Sequence, residues 1–214
     1  MKILKISCFF LIIIFLVSCA GRQGAFRADP DFSIYESSFF INVNDITENR
    51  NLPPWLSAYI AGGIIEIEKM EVYSSKYTFV AINEGLNFSV LTRWSENLSP
   101  IYDFPILAAA RIEERMVSAA SFFPDDEYGS FFEAMMKSAY SGRYPGAEKA
   151  GAHWIRIRKD NEEKYMFFAL LTIDKTAMQG IINSMTARTV SSASMTSAQR
   201  SSVNRLRQNF FEGF

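Results

Sequence analysis

The sequence predicts an α+β fold, an antiparallel sheet with a closing hairpin packed against two helices, with further helices at its C-terminal end. Three observations carry this expectation. Residues 153–159 and 165–173 flank a polar Asp160-Asn161-Glu162 turn and are rich in aromatic and branched side chains. Residues 104–121 repeat apolar side chains at helical spacing, and Pro124-Asp125-Asp126-Glu127 opens a second such pattern.

Taken in order, residues 20–34 are small, polar and marked by Gly and Pro, and read as a flexible tether. The tether is extended to residue 52 because 42–54 is polar and ends in Pro53-Pro54, which disfavours helix; the domain then starts near Trp55 and runs over 53–178. Ile64 to Tyr73 and Lys76 to Ile82 read as two strands joined through Ser74-Ser75, and Asn87 to Trp94 as a third after a turn at Gly85. In the first helix Ala108, Ile112, Met116, Ala119 and Phe123 share a face, with Arg111, Glu114, Arg115 and Ser118 opposite and Asp103 as N-cap. In the second, Phe132, Met135, Met136, Ala139 and Tyr140 cover one side, and Ser141-Gly142 ends it.

In the hairpin, His153, Ile155 and Ile157 face one way and Trp154, Arg156 and Arg158 the other. The returning strand, Tyr165 to Ile173, is apolar on both faces and asks for cover on both, which makes it central. Asp174 caps a helix from Lys175 to about Arg188. A capping box at Thr196 and Gln199 precedes a last helix on which Val203, Leu206 and Phe210 share a face, so 179–214 reads as a C-terminal helical extension.

The composition excludes several functions. A formal charge of −1 gives no footprint for nucleic acid. The single histidine, His153, has no second histidine to form a metal pair and reads as a core or edge residue. There is no G-x-S-x-G, phosphate loop or dinucleotide fingerprint, and no cofactor is expected. Asp125-Asp126-Glu127 reads as the acidic first turn of a helix rather than a cation site. Glu66 and Glu68, two apart on the expected strand, would face one way about 7 Å apart, a spacing that an inverting glycosidase uses and that any acid-bearing strand also produces.

The N-terminus carries an address. Lys2 and Lys5 precede an apolar run from Ile6 to Val17, about 18 Å long as a helix and too short for a bilayer core of about 30 Å. The run ends in Leu16-Val17-Ser18-Cys19, which resembles the bacterial lipobox. That resemblance implies diacylglycerol on the Cys19 sulfur, cleavage of residues 1–18, and an acylated amino terminus. Two or three chains make membrane release negligible. Ala20 in place of aspartate resembles the outer-membrane rather than the inner-membrane sorting pattern. Loss of Lys2 and Lys5 takes the formal charge from −1 to −3, and loss of Cys8 leaves no free thiol for a disulfide, a nucleophile or a zinc site.

Trp154, the strand from Tyr165 through Ala169-Leu170-Leu171 to Ile173-Asp174-Lys175, the helix with Ala108, Arg111 and Arg115, and Pro54-Trp55 together resemble the twenty-kilodalton lipoprotein family of Helicobacter type over residues 53–178. The resemblance implies a small α+β envelope lipoprotein, often of undefined role, and kinship with flagellar accessory proteins; the residues themselves are read as a non-enzymatic domain. The expectations, in order, are a binding or structural module with an envelope protein partner, a flagellar or motility accessory, and an envelope glycan hydrolase using Glu66 and Glu68. A binding role predicts an exposed apolar surface with Tyr165 and Phe167, or on the last helix with Val203, Leu206 and Phe210.

Overall fold

The structure, a computed structural model, describes residues 41–120, 129–159 and 162–192, together with 197, 200, 201, 203 and 204. Four strands form one antiparallel sheet in the order β1-β3-β4-β2: β1 Ile46–Glu48, β2 Lys76–Gly85, β3 Glu148–Lys159 and β4 Glu162–Asp174. Among the described residues these α-helices accompany them: α1 Pro54–Glu68, α2 Phe88–Asn97, α3 Phe104–Ala120, α4 Gly129–Tyr140 and α5 Lys175–Ser192. The fold is α+β, and the sheet is open.

β4 is central and pairs along its length with β2 (Lys76↔Asp174 to Gly85↔Tyr165) and with β3 (Glu148↔Thr172 to Lys159↔Glu162). Its apolar character on both faces is used. On one face Met166, Phe168 and Leu170 join Val80, Ile155, Ile157 and Ile46 beneath α1, with Trp55, Leu56 and Ile67 buried there. On the other, Ala169, Leu171 and Ile173 join Tyr77, Phe79 and Ala81 against α3, α4 and α5. Two apolar layers, each sealed by helix, remove the sheet from water on both sides.

Several elements depart from the sequence expectation. Ile64 to Tyr73 is not a strand: α1 runs to Glu68, and Glu71–Tyr73 is a single 3-10 turn. The two prolines, read as excluding helix, instead open it, with Pro54 at the first helical position, where a missing N–H costs nothing. The helix kinks at Gly62-Gly63, and Gly63 adopts φ 73°, ψ −161°, a conformation reserved for glycine. Asn87 to Trp94 is also helical. The Asn87 side chain accepts from the Val90 N–H at 3.2 Å, and Leu91 and Ser95 are buried one turn apart. An eight-residue apolar-polar mixture fits either period, and the cap decides between them.

The stretch assigned to the tether contains part of the sheet. Ile46 is fully buried, Ile46 and Glu48 pair with Ile157 and Arg156, and Val43–Asp45 forms a 3-10 turn before them. Asn49, at φ 57°, donates its side-chain amide to the Trp154 carbonyl at 2.7 Å and fastens the end of β1 to β3. At the other boundary, α5 runs unbroken through 178–179, and Met178, Ile182 and Met185 lie in one core.

The first long helix and the hairpin stand as expected, with longer strands. Asp103 caps by its backbone, its carbonyl accepting from Ile106 and Leu107, while its carboxylate turns back to the Ser99 N–H at 2.6 Å. In α4, Met135, Met136 and Ala139 are buried as expected, Phe131 joins them, and Tyr140 is exposed. Phe123 and the Pro124–Glu127 segment lie outside the described residues.

Candidate functional site

Glu66 and Glu68 sit on α1, where residues two apart point about 200° from one another, so they do not form a facing pair. Glu66 lies at the surface beside Lys69, one turn away. Glu68 is 11% exposed and meets Arg111 of α3, itself 8% exposed, at 2.8 Å. The two side chains converge on the outer edge of β2. Glu68 Oε1 accepts the Thr78 N–H at 2.8 Å and the Thr78 hydroxyl at 3.3 Å, and Arg111 Nη1 donates to the Thr78 carbonyl at 3.0 Å. The pair thus takes the place of a neighbouring strand at that residue. The Arg111 guanidinium also lies 5.1 Å from the Tyr77 ring and 5.4 Å from the Phe79 ring. These contacts engage both groups in the fold and leave no opposed acid and base flanking a substrate.

Arg111 was placed by periodicity on the solvated face of its helix. It lies instead in a run, Leu107 to Ile112, that is buried throughout. Three alanines directly before Arg111 were the signal, because small residues on every side of a helix mark close packing all round.

Tyr165 and Phe167 are brought together, but under cover. Phe88 of α2 lies 5.1 Å from Tyr165, 5.4 Å from Phe167 and 4.9 Å from Trp154, and Trp154 stacks on Phe167 at 6.3 Å. Phe167 is buried and Tyr165 half-buried, with the Arg156 guanidinium 5.3 Å above its ring. Val203 is buried in the α4–α5 core, so it belongs to the domain's interior rather than to an exposed helix face. Leu206, Phe210 and Cys19, the expected site of lipid attachment, lie outside the described residues. His153 is half-buried, its Nε2 3.3 Å from the Asn49 carbonyl.

A cleft of about 770 Å³ opens between the segments 100–105 and 140–147. Ile101, Tyr102 and Tyr140 stand exposed at its rim, Arg143 supplies a cation, and Tyr144 forms the floor. The Tyr144 hydroxyl donates to the Ala139 carbonyl at 2.9 Å, and burial pushes its pKa far up, so it stays a neutral phenol. Such a lining, with Ser141 also at its edge, suits an apolar or aromatic group. The cleft sits beside the start of β3, at the end of the sheet where Lys76 and Glu148 pair. There the Lys76 ammonium holds the Glu148 carboxyl below its usual range, helped by the Thr172 hydroxyl at 3.2 Å, and Glu148 in turn raises Lys76.

The opposite end of the sheet carries a belt of ion pairs. Arg156 meets Glu48 and Glu163, Arg158 meets Glu163, and Lys164 meets Glu84. The Arg158 hydrogen bond, with Arg156 adding its charge, keeps the Glu163 carboxyl below the usual carboxylate range. Among the described residues no three His, Cys, Asp or Glu gather to hold a metal ion, and no helix is long and apolar enough to cross a membrane. No family model, curated protein or solved structure matches the chain.

Proposed function

We propose that the protein is a lipid-anchored module of the bacterial envelope, held by acylated Cys19 and acting by binding rather than catalysis. The carrying observation is the sequence Leu16-Val17-Ser18-Cys19 placed directly after a lysine-led apolar run too short to span a bilayer. The disposition of the charged residues supports the binding role. Glu68 and Arg111, the acid and base that lie deepest among the ion pairs, hold the β2 edge, while the cleft between 100–105 and 140–147 is lined mainly by tyrosine, proline and aliphatic side chains, with Arg143 and Ser141. Its expected partner is an envelope protein presenting an apolar or aromatic group. The Ala20 pattern favours delivery to the outer membrane.

The test is intact mass and detergent-phase partition of the wild type against Cys19→Ala, expressed in a bacterial host. The wild type is expected to lose residues 1–18, gain the mass of two or three acyl chains and enter the detergent phase, and the variant to do none of these. A wild type that stays in the aqueous phase after cleavage at another position overturns the reading.

A further inference from the structure

β2 is an outer strand of the sheet, and its free edge is closed only in part. The Thr78 N–H and C=O both point away from β4, since Glu68 and Arg111 take them. Backbone groups along an antiparallel strand point to alternate sides, so those of Val80, Ile82 and Glu84 point the same way as those of Thr78. Among the described residues no hydrogen bond reaches them on that side. Ile82 is half-buried and Glu84 exposed, so an incoming chain can approach. Edges of this kind are commonly blunted by a lysine, a proline or a bulge. Val80 to Glu84 has none of these, and its pairing with β4 is unbroken.

Alternating donors and acceptors along an edge take an extended chain. The register narrows that chain to a second copy of β2. Laid antiparallel about Ile82, two copies set Ile82 against Ile82 and Val80 against Glu84, so every outward residue of each meets an outward residue of the other. Sliding the pair toward Thr78 sets Glu84 against groups already engaged by Glu68 and Arg111, and sliding it the other way sets Val80 against Leu86, where β2 has ended in a bend. Only the register about Ile82 mates all three residues. It also brings together two aliphatic side chains that the fold leaves in water. α1 follows β2, with Tyr59 6.5 Å from Phe168, the partner of Ile82, and Glu68 at Thr78. Ile65, one turn before Glu68 on the same side of α1, is 59% exposed, and Leu86 is 78% exposed. The register carries Leu86 of one copy to Thr78 of the other, at the end where Ile65 stands. Glu84 adds no unmatched charge, because Lys164 of β4 already pairs with it.

We propose that two copies of the chain pair through Val80–Glu84 of β2, antiparallel about Ile82, so that their sheets become one. The clasp of Glu68 and Arg111 on Thr78 then serves as the stop that fixes the register. The contact is short, which makes it a reversible pairing rather than a permanent dimer. It needs neither the lipid nor the cleft, so it stands or falls apart from the anchored-module reading.

The test uses the full chain purified in detergent from a bacterial host, and needs no substitution at first. Exchange of the Val80, Ile82 and Glu84 amides is followed as protein concentration rises. Once dimer dominates, the free fraction falls as the square root of concentration, so a rise of roughly a hundredfold is expected to slow these amides about tenfold. Amides of 100–104, at the cleft, are expected to keep their rates. Glu84→Pro removes only an outward N–H, so it is expected to retain the fold and to abolish the concentration dependence. Cross-linking then reads the register against the wild type, whose Cys8 and Cys19 set the background. Ile82→Cys is expected to form a disulfide-linked dimer on mild oxidation, because facing Cα atoms in such a pair lie about 5.5 Å apart. Glu84→Cys alone is expected to stay at background, its counterpart lying four residues along the strand at roughly 13 Å, and to link when mixed with Val80→Cys. Exchange at Val80, Ile82 and Glu84 that ignores concentration overturns the proposal, as does linking at Glu84→Cys equal to that at Ile82→Cys. Slowing that appears only on adding an envelope extract would assign the edge to another protein's strand and overturn the pairing of copies.

Discussion

Arg111 and Glu68 show what a buried charge does in this molecule. Each has left water, and each is matched by the other and by a backbone group of Thr78. Removing one partner strands the other in a poorly solvated site, so Arg111→Met is expected to cost about 3–5 kcal/mol, read as the fall in unfolding free energy by urea titration. The double variant Glu68→Met with Arg111→Met should be less costly than the single one, since no unpaired charge remains. It should not return to the wild-type value, because the Thr78 N–H and C=O have then lost their partners. A double variant as damaged as the single one would show that the backbone contacts, not the ion pair, carry the effect. By contrast, the surface pair of Glu66 with Lys69 is expected to contribute less than about 1 kcal/mol.

Among elements, the kinked helix α1 is the informative case. Its residues Ile64, Ile65 and Ile67 are β-branched, as a strand would be, and local preference alone misreads them. Burial of Trp55, Leu56 and Ile67 against the sheet overrides that preference. Gly62-Gly63 then lets the second half change direction. Gly63→Ala is expected to destabilise by roughly 1–3 kcal/mol, since alanine is strained at φ 73°, ψ −161°. The shift in thermal midpoint measures it, and an unchanged midpoint would mean the kink relaxes without cost. Legibility follows the same logic across the fold. The β3–β4 hairpin and α3 were readable because alternation in one and a 3.6-residue repeat in the other extend over many residues. α2 was not, because eight residues fit both periods until the Asn87 cap is seen. β1 was unreadable because three residues carry no period at all, and its place comes wholly from pairing with β3. Of the site, only the Cys19 pattern is local in sequence. The Glu68–Arg111 contact joins residues 43 apart, and the cleft joins the segments 100–105 and 140–147.

At the scale of the whole molecule, Val203 ties its segment to the core. Val203 is buried with Met178, Ile182 and Met185, so Val203→Ala is expected to lower stability by about 2 kcal/mol, seen as a lower denaturant midpoint with an unchanged slope. Ser197→Ala, at an exposed position of the same segment, should leave the midpoint where it was, and equal effects from both would place Val203 outside the core. The sheet also sets a distance. β4 has 13 residues, so at about 3.3 Å each its two ends lie roughly 40 Å apart.

Under the proposed anchor, the clasp on Thr78 has a further consequence. Molecules sharing a plane collide far more often than the same number in solution, and an open sheet invites each neighbour to add a strand to its edge. At Thr78 both backbone groups are already engaged by Glu68 and Arg111, so an incoming chain finds no donor or acceptor there to begin the ladder. The opposite edge is β1 for three residues, beside Arg156 and Ile157, and β3 beyond it. Under the proposed anchor, crowded copies would therefore meet a β2 edge closed at Thr78.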